Sequence, residues 1–262
     1  MSGDISLPGE LLISTEMSAS QLSDLALCSK FFYYKHLLKI TEESLGALSP
    51  VLQSLPPNQQ KKYLSVVKGD NKEVEESIFK SSAERGTKVH WIIENYINGN
   101  DVKDSSLDIH DMEAFSYAKR ELKNYLNNSE FNLISERDLK FDLFTQKISS
   151  KPDLIIENVK NRLSVEILDF KTGEKDSVVE KKYIMQLLIY ASGYSQLYPE
   201  VQEFVLKSVY LDQKQTTILK LSKSEMNEHL SHLLSGFNNF ESENVNYCKK
   251  CEFNKICLVG HS

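Results

Sequence analysis

The feature that most constrains the fold lies between residues 131 and 222, where apolar spacing leaves the helical period, alternates, and then returns to it. "FNLISERDLKFDLF" (131–144), "KISSKPDLIIEN" (147–158) and "NRLSVEILDFKTG" (161–173) are short alternating segments, separated by gaps that suit hairpins. "DSVVEKKYIMQLLIYASGYSQLYP" (176–199) resumes helical spacing and stops at Pro199. "EFVLKSVYLD" (203–212) and "QTTILKLS" (215–222) predict two further strands, followed by a helix over about 223–240. Upstream, helices are expected at 18–38, with Ser18 or Ser20 as N-cap, and at about 82–97 and 108–126. Residues 41–80 contain Pro56-Pro57 and a charged run at 68–76, which predicts short helices and connections. Three strands, a helix and a returning strand imply an α/β fold with a mixed sheet flanked by helices.

The length of 262 residues suffices for a full core. A net charge of −6 argues against a protein that coats DNA non-specifically, but is compatible with carboxylates that hold metal beside one local groove. No apolar run reaches the ~18 residues of a membrane span, and "MSGDISLPGE" has no basic, hydrophobic leader, so a cytoplasmic protein is expected. In that setting Cys28, Cys248, Cys251 and Cys257 do not form a disulfide framework.

The chemistry centres on "EILDFKTGEKD" (166–176). Alternate strand residues share a face, so Asp169 and Lys171 point the same way. A hairpin would bring Asp153, which follows Pro152, beside Asp169. Two adjacent carboxylates repel, and a hard divalent cation removes that cost, taking carboxylates, waters and phosphate oxygens as ligands. The main-chain carbonyl of Phe170 could add another ligand. A lysine there supplies fixed positive charge for metal-bound water and for the phosphorane. Taken alone, D-x-K before a glycine is equally a solvated strand end and a turn. "AERGTKVHWIIENY" (83–96) adds His90, with Glu94 one turn on along the same face. Tyr183, Gln186 and Tyr190 form one helical stripe, which is also the pattern of an aromatic core face.

Together these pieces resemble the RecB-like branch of the PD-(D/E)XK nuclease superfamily, in the order G-x-x-x-H helix, "PD", "ILDFKTG" and Y-x-x-Q-x-x-x-Y. The resemblance runs from about Cys28 to Cys257. It implies a restriction-endonuclease-like fold, with a helical region at 1–107 that carries Cys28 and His90. A nuclease core at 108–244 and a cysteine segment at 245–262 would complete one integrated domain. It makes His90, Asp153 and Asp169 ligands of Mg²⁺ or Mn²⁺ and Lys171 the catalytic lysine. Gln186 and Tyr190 fall near metal-bound water or the DNA backbone, and Glu136 matches an acidic position of many members. Members often carry glycine where this chain has Ser150, and residues 41–80 have no part in the motifs.

"YCKKCEFNKIC" spaces its cysteines as C-x2-C-x5-C, which suits zinc poorly. It resembles the iron–sulfur subgroup of this branch, the AddB subunit and CRISPR-associated RecB-like nucleases. There one N-terminal and three C-terminal cysteines hold a [4Fe–4S] cluster. The family's Cys-Pro-Arg is here "CSKFFYYKHL", without the proline. Such a clasp would close nearly the whole chain into a loop, worth on the order of 5 kcal/mol. Lys249, Lys250 and Lys255 could face phosphates or solvent, and the residues alone also allow reduced thiols or zinc.

The resemblance implies a DNA nuclease acting on single strands or ends, in recombination, repair or CRISPR adaptation, beside a helicase or an adaptation protein. No G-x-x-x-x-G-K-[ST] motif is present, so unwinding must come from another protein. An inert DNA-binding or scaffolding module on the same fold is the alternative, and the sequence does not separate DNA from RNA.

Overall fold

β5 (Ser164–Lys171) is the hub of the molecule. Its residues Val165, Ile167, Leu168 and Phe170 are all buried, as expected of a strand covered on both faces. The structure, a computed structural model, describes residues 16–28, 32, 35–36, 72–102, 107–143, 146–173, 175 and 177–235. Within them the chain runs α1 (Ala19–Leu27), α2 (Lys72–Ile97), α3 (Ile109–Leu122), β1 (Phe131–Ser135), β2 (Leu139–Leu143), β3 (Gln146–Ser150), β4 (Leu154–Asn158) and β5. It continues through α4 (Ser177–Leu197), β6 (Glu203–Tyr210), β7 (Gln215–Ser222) and α5 (Lys223–Ser235).

The main sheet has the order β1-β4-β5-β6-β7, and β2 pairs with β3 in a separate ribbon. Only β5 and β6 run parallel, joined by the α4 crossover, so the sheet is mixed as expected. One apolar cluster packs α1, α4 and α5 with the β2–β3 ribbon against Ile155, Val165 and Ile167. The other packs α2 and α3 against Leu154, Ile156, Leu168 and Phe170 on the opposite face. Layers of helix, sheet and helix result.

Two predicted strands are each divided in two. Segment 131–144 becomes β1 and β2, because the backbone turns at Glu136, whose φ is 49°. Segment 147–158 becomes β3 and β4, with Pro152 at the break, where its missing N–H leaves no gap in the ladder. The helix expected over 18–38 begins as predicted on Ser18, in a reciprocal capping box with Gln21. It ends at Leu27, where Cys28 is extended. α2 starts earlier than predicted, at Lys72, and the described part of α5 ends at Ser235.

Ser150 is buried and accepts a hydrogen bond from Ala19 N–H at 2.7 Å. Its hydroxyl thereby docks the start of α1 on the β2–β3 ribbon. Met17 extends that ribbon by a parallel bridge to Ile148. Among the described residues no helix is long and apolar enough to cross a membrane. Cys248, Cys251 and Cys257, with Lys249, Lys250 and Lys255 and most of 41–80, lie outside the described residues.

Candidate active site

β4 and β5 pair antiparallel with Leu154 opposite Leu168, and one step further the same register sets Asp153 opposite Asp169. The expected hairpin therefore exists. Asp153 Oδ2 accepts the Phe170 N–H at 2.6 Å. A strand residue's N–H and C=O leave on the same side, so the Phe170 carbonyl also faces the edge where β4 has ended. His90 on α2 reaches the same carboxylate, its Nδ1 lying 3.2 Å from Asp153 Oδ1. Glu136 follows the end of β1, and its N–H donates to the Asp153 carbonyl at 3.3 Å. Left-handed backbone is uncommon for a glutamate, and such positions concentrate at functional sites.

Lys171 shares a face with Asp169, and its ammonium forms an ion pair with Asp169 Oδ2. It also lies 3.4 Å from Gln186 Oε1 and 4.3 Å from the centre of the Tyr183 ring. Gln186 Nε2 donates in turn to the Tyr190 hydroxyl at 2.6 Å. The stripe on α4 is thus an aromatic core face and a polar relay at once, because its amide and ammonium contacts lie at the end of β5.

The loop after β5 is held from two sides. Gly173 has a φ of +97°, which favours glycine, and its N–H donates to Asp212 Oδ2 at 2.7 Å. Arg85 grips Asp212 through both terminal nitrogens, at 2.9 and 2.7 Å, and bonds Asp111 at 3.2 Å. One residue on, a Cβ at Gly86 would lie 3.1 Å from Thr172 Oγ1. This close approach explains the glycine four residues before His90. A side chain there would require the Thr172 hydroxyl to give by a few tenths of an ångström.

The electrostatics of the site call for a cation. Burial raises the Asp169 carboxyl to about 6, with Lys171 opposing the shift and Asp153 adding to it. Burial also raises Glu136, helped by the charges of Asp153 and Glu94. Burial would depress the His90 imidazole, but its hydrogen bond to Asp153 and the charges of Asp153 and Asp169 lift it above its ordinary value. For Lys171 burial again acts downward and is outweighed by Asp169 and Asp153, so the ammonium keeps its proton. Burial pushes the Tyr190 hydroxyl well above the usual tyrosine range, so it too stays protonated.

Among the described residues no three His, Cys, Asp or Glu side chains form a ready metal-binding group. The donors nevertheless fit a hard divalent ion. Asp153, Asp169 and the Phe170 carbonyl are oxygen ligands at one strand edge, in a field of carboxylates that Lys171 only partly offsets. In the described arrangement Asp153 is engaged by His90 and Phe170, and Asp169 by Lys171.

The profile of the PD-(D/E)XK nuclease superfamily matches residues 62–258. The chain belongs to this superfamily. Among solved structures, that of SSO0001 is similar at 17% identity and a TM-score of 0.42, over 90% of this chain and 84% of the other. An inferred exonuclease from Eubacterium rectale is similar at 13% identity and a TM-score of 0.35, over 96% and 94%. No curated protein sequence matches significantly.

The structure brings His90, Glu136, Asp153, Asp169, Lys171, Gln186 and Tyr190 into one neighbourhood. Cys28 is partly exposed at the end of α1. Several positioning groups were not singled out from the sequence. Arg85 and Asp212 pin α2 to the loop, and Tyr183 lies under Lys171. Asp24 on α1 is fully buried, with Lys182 in an ion pair, His36 Nε2 at 2.9 Å and Lys35 Nζ at 3.1 Å. Tyr183 is the exception, since the sequence already placed it on one helical stripe with Gln186 and Tyr190.

Proposed function

We propose that the chain is a Mg²⁺- or Mn²⁺-dependent deoxyribonuclease of the RecB-like branch, acting on single-stranded DNA or DNA ends. The observation that carries this reading is the register that sets Asp153 opposite Asp169, with Lys171 on the same strand face and His90 against Asp153. His90, Asp153, Asp169 and the Phe170 carbonyl would hold the metal, which supplies a water of lowered pKa and a Lewis acid for the phosphate. Lys171, kept protonated, acts as fixed charge for the developing phosphorane rather than as a base. Gln186 orients that ammonium, and Tyr190 keeps a hydroxyl proton to donate toward the anionic centre. Glu136 fixes the Asp153 backbone and adds to the acidic field.

The test is cleavage of end-labelled single- and double-stranded DNA by anaerobically purified protein with Mg²⁺ or Mn²⁺, beside Asp169→Ala. Metal-dependent cutting absent from the variant is expected. Absence of cutting with every metal, from folded protein, would sink the reading.

A [4Fe–4S] cluster on Cys28, Cys248, Cys251 and Cys257 belongs to the same proposal, supported by the cysteine spacing. It would act as a structural clasp. Cys251→Ser should lose the brown colour of anaerobic protein and lower its Tm. A colourless wild type prepared without oxygen would point to zinc or free thiols instead. A helicase or CRISPR adaptation protein is the proposed companion, on the resemblance to the RecB-like branch.

A further inference from the structure

Trp91 is the only tryptophan in the chain, and it is 60% exposed. The other large exposed hydrophobics among the described residues, such as Ile109, Val159, Leu163 and Ile218, are not aromatic. Its helix does not lack a core contact. α2 buries Val89, Ile92 and Ile93 almost completely, so the sheet-facing side is already satisfied. One residue turns an α-helix by about 100°, which carries the chain from His90, against Asp153, to Trp91 on the adjoining solvent face.

The neighbours along that face are polar. Thr87 and Asn98 are exposed, and Asn95 folds its Nδ2 back onto the Trp91 carbonyl at 2.8 Å. Asn98 Oδ1 accepts from Ser135 Oγ at 3.1 Å, beside Glu136, so the stripe runs along the rim of the site. A helix built to dock on protein presents apolar anchors at successive turns. A single indole among amides, a hydroxyl and the charged Lys88 and Glu94 is instead a flat π-face in wet surroundings, which suits a base.

We propose that Trp91 is the stacking platform for an unpaired base of the nucleic-acid strand that passes the Asp153–Asp169 edge. This assignment rests on the nuclease reading and extends it to how the strand is held. Stacking needs an exposed base face, so the platform selects single-stranded or frayed substrate. It tolerates any sequence, because every base has a π-face.

The sole tryptophan makes the test direct. In a Lys171→Ala background without added Mg²⁺ or Mn²⁺, where the strand stays intact, tryptophan emission is followed during titration with oligo(dT) and with a duplex. In parallel, anisotropy of labelled oligo(dT) measures binding with and without Trp91→Ala. Saturable quenching by oligo(dT), weaker with duplex, is expected. Trp91→Ala should weaken binding by roughly 5- to 150-fold, the usual worth of one base stack, and Trp91→Phe by much less. In the active protein, Trp91→Ala should raise KM and leave kcat nearly unchanged.

Binding without a change in emission would overturn the assignment while the nuclease reading stands, as would equal affinity of the alanine variant. Equal quenching by duplex would overturn the preference for an unpaired base. A wild type that neither binds nor cuts any DNA would overturn both.

Discussion

Lys171→Ala is expected to lower kcat for phosphodiester cleavage by about 10²–10³-fold, the usual consequence of deleting one preorganised charge at a developing anion. KM should change little, because the interaction strengthens only as charge builds in the transition state. The ammonium cannot be replaced from nearby. Gln186 and Tyr183 contact Lys171 but carry no charge, and His90 is engaged by Asp153. Removing the lysine also leaves the buried Asp169 carboxyl without its ion-pair partner. That group already titrates near 6, so it takes up a proton and the fold survives. Single-turnover cleavage beside a thermal melt checks both halves. Undiminished kcat in the variant would remove Lys171 from the mechanism.

Asp24→Asn is expected to cost about 3–5 kcal/mol of stability, the range for breaking a buried ion pair from one side. On a chain of this size that lowers Tm by on the order of 10 °C. Asp24 is fully buried and shares one carboxylate among Lys182, Lys35 and His36. The shared anion explains why both members of the tightest pair titrate low. Burial works to raise Asp24, but the surrounding lysines hold it below its ordinary value. Lys182 is depressed first by burial, with Lys35 and Lys171 adding repulsion and Asp24 compensating only in part. A depressed carboxylate contributes stability that is present above its unfolded pKa of about 3.9 and lost as pH falls through the folded value. The gap between wild type and variant should therefore be full near neutrality and narrow below about pH 4. Thermal melts across that range measure it. A variant that melts with the wild type at pH 7 would show that the cluster is not an anchor.

The candidate edge was legible because its determinants are local. Val165, Ile167, Leu168 and Phe170 mark a short apolar strand, Gly173 marks its end, and alternation alone places Asp169 and Lys171 together. The opposition of Asp153 to Asp169 followed from a hairpin of ordinary length. The stripe on α4 was legible as a stripe, though not as a relay, since Gln186 and Tyr190 have the same spacing whether they pack or bond. What sequence missed depends on distant partners. Arg85 meets Asp212 across 127 positions, and Asp24 on an amphipathic helix looks like any solvated acid until Lys182 covers it. The divisions at Glu136 and Pro152 fall in the polar stretches "SERD" and "SSKPD", and were hidden because the apolar residues on either side keep the same alternating phase. A left-handed glutamate leaves no compositional mark.

The parallel pairing of β5 with β6 has a bearing on how the chain is made. His90, Asp153, Asp169, Lys171, Gln186 and Tyr190 all leave the ribosome before β6 (Glu203–Tyr210), which occupies the second edge of β5. Asp212, the anchor for Arg85 and Gly173, comes later still. A growing chain can therefore carry every candidate residue while β5 has an open side and α2 has no tether to its loop. Assembly of the candidate edge is thereby deferred until β6 and the Asp212 turn have been synthesised.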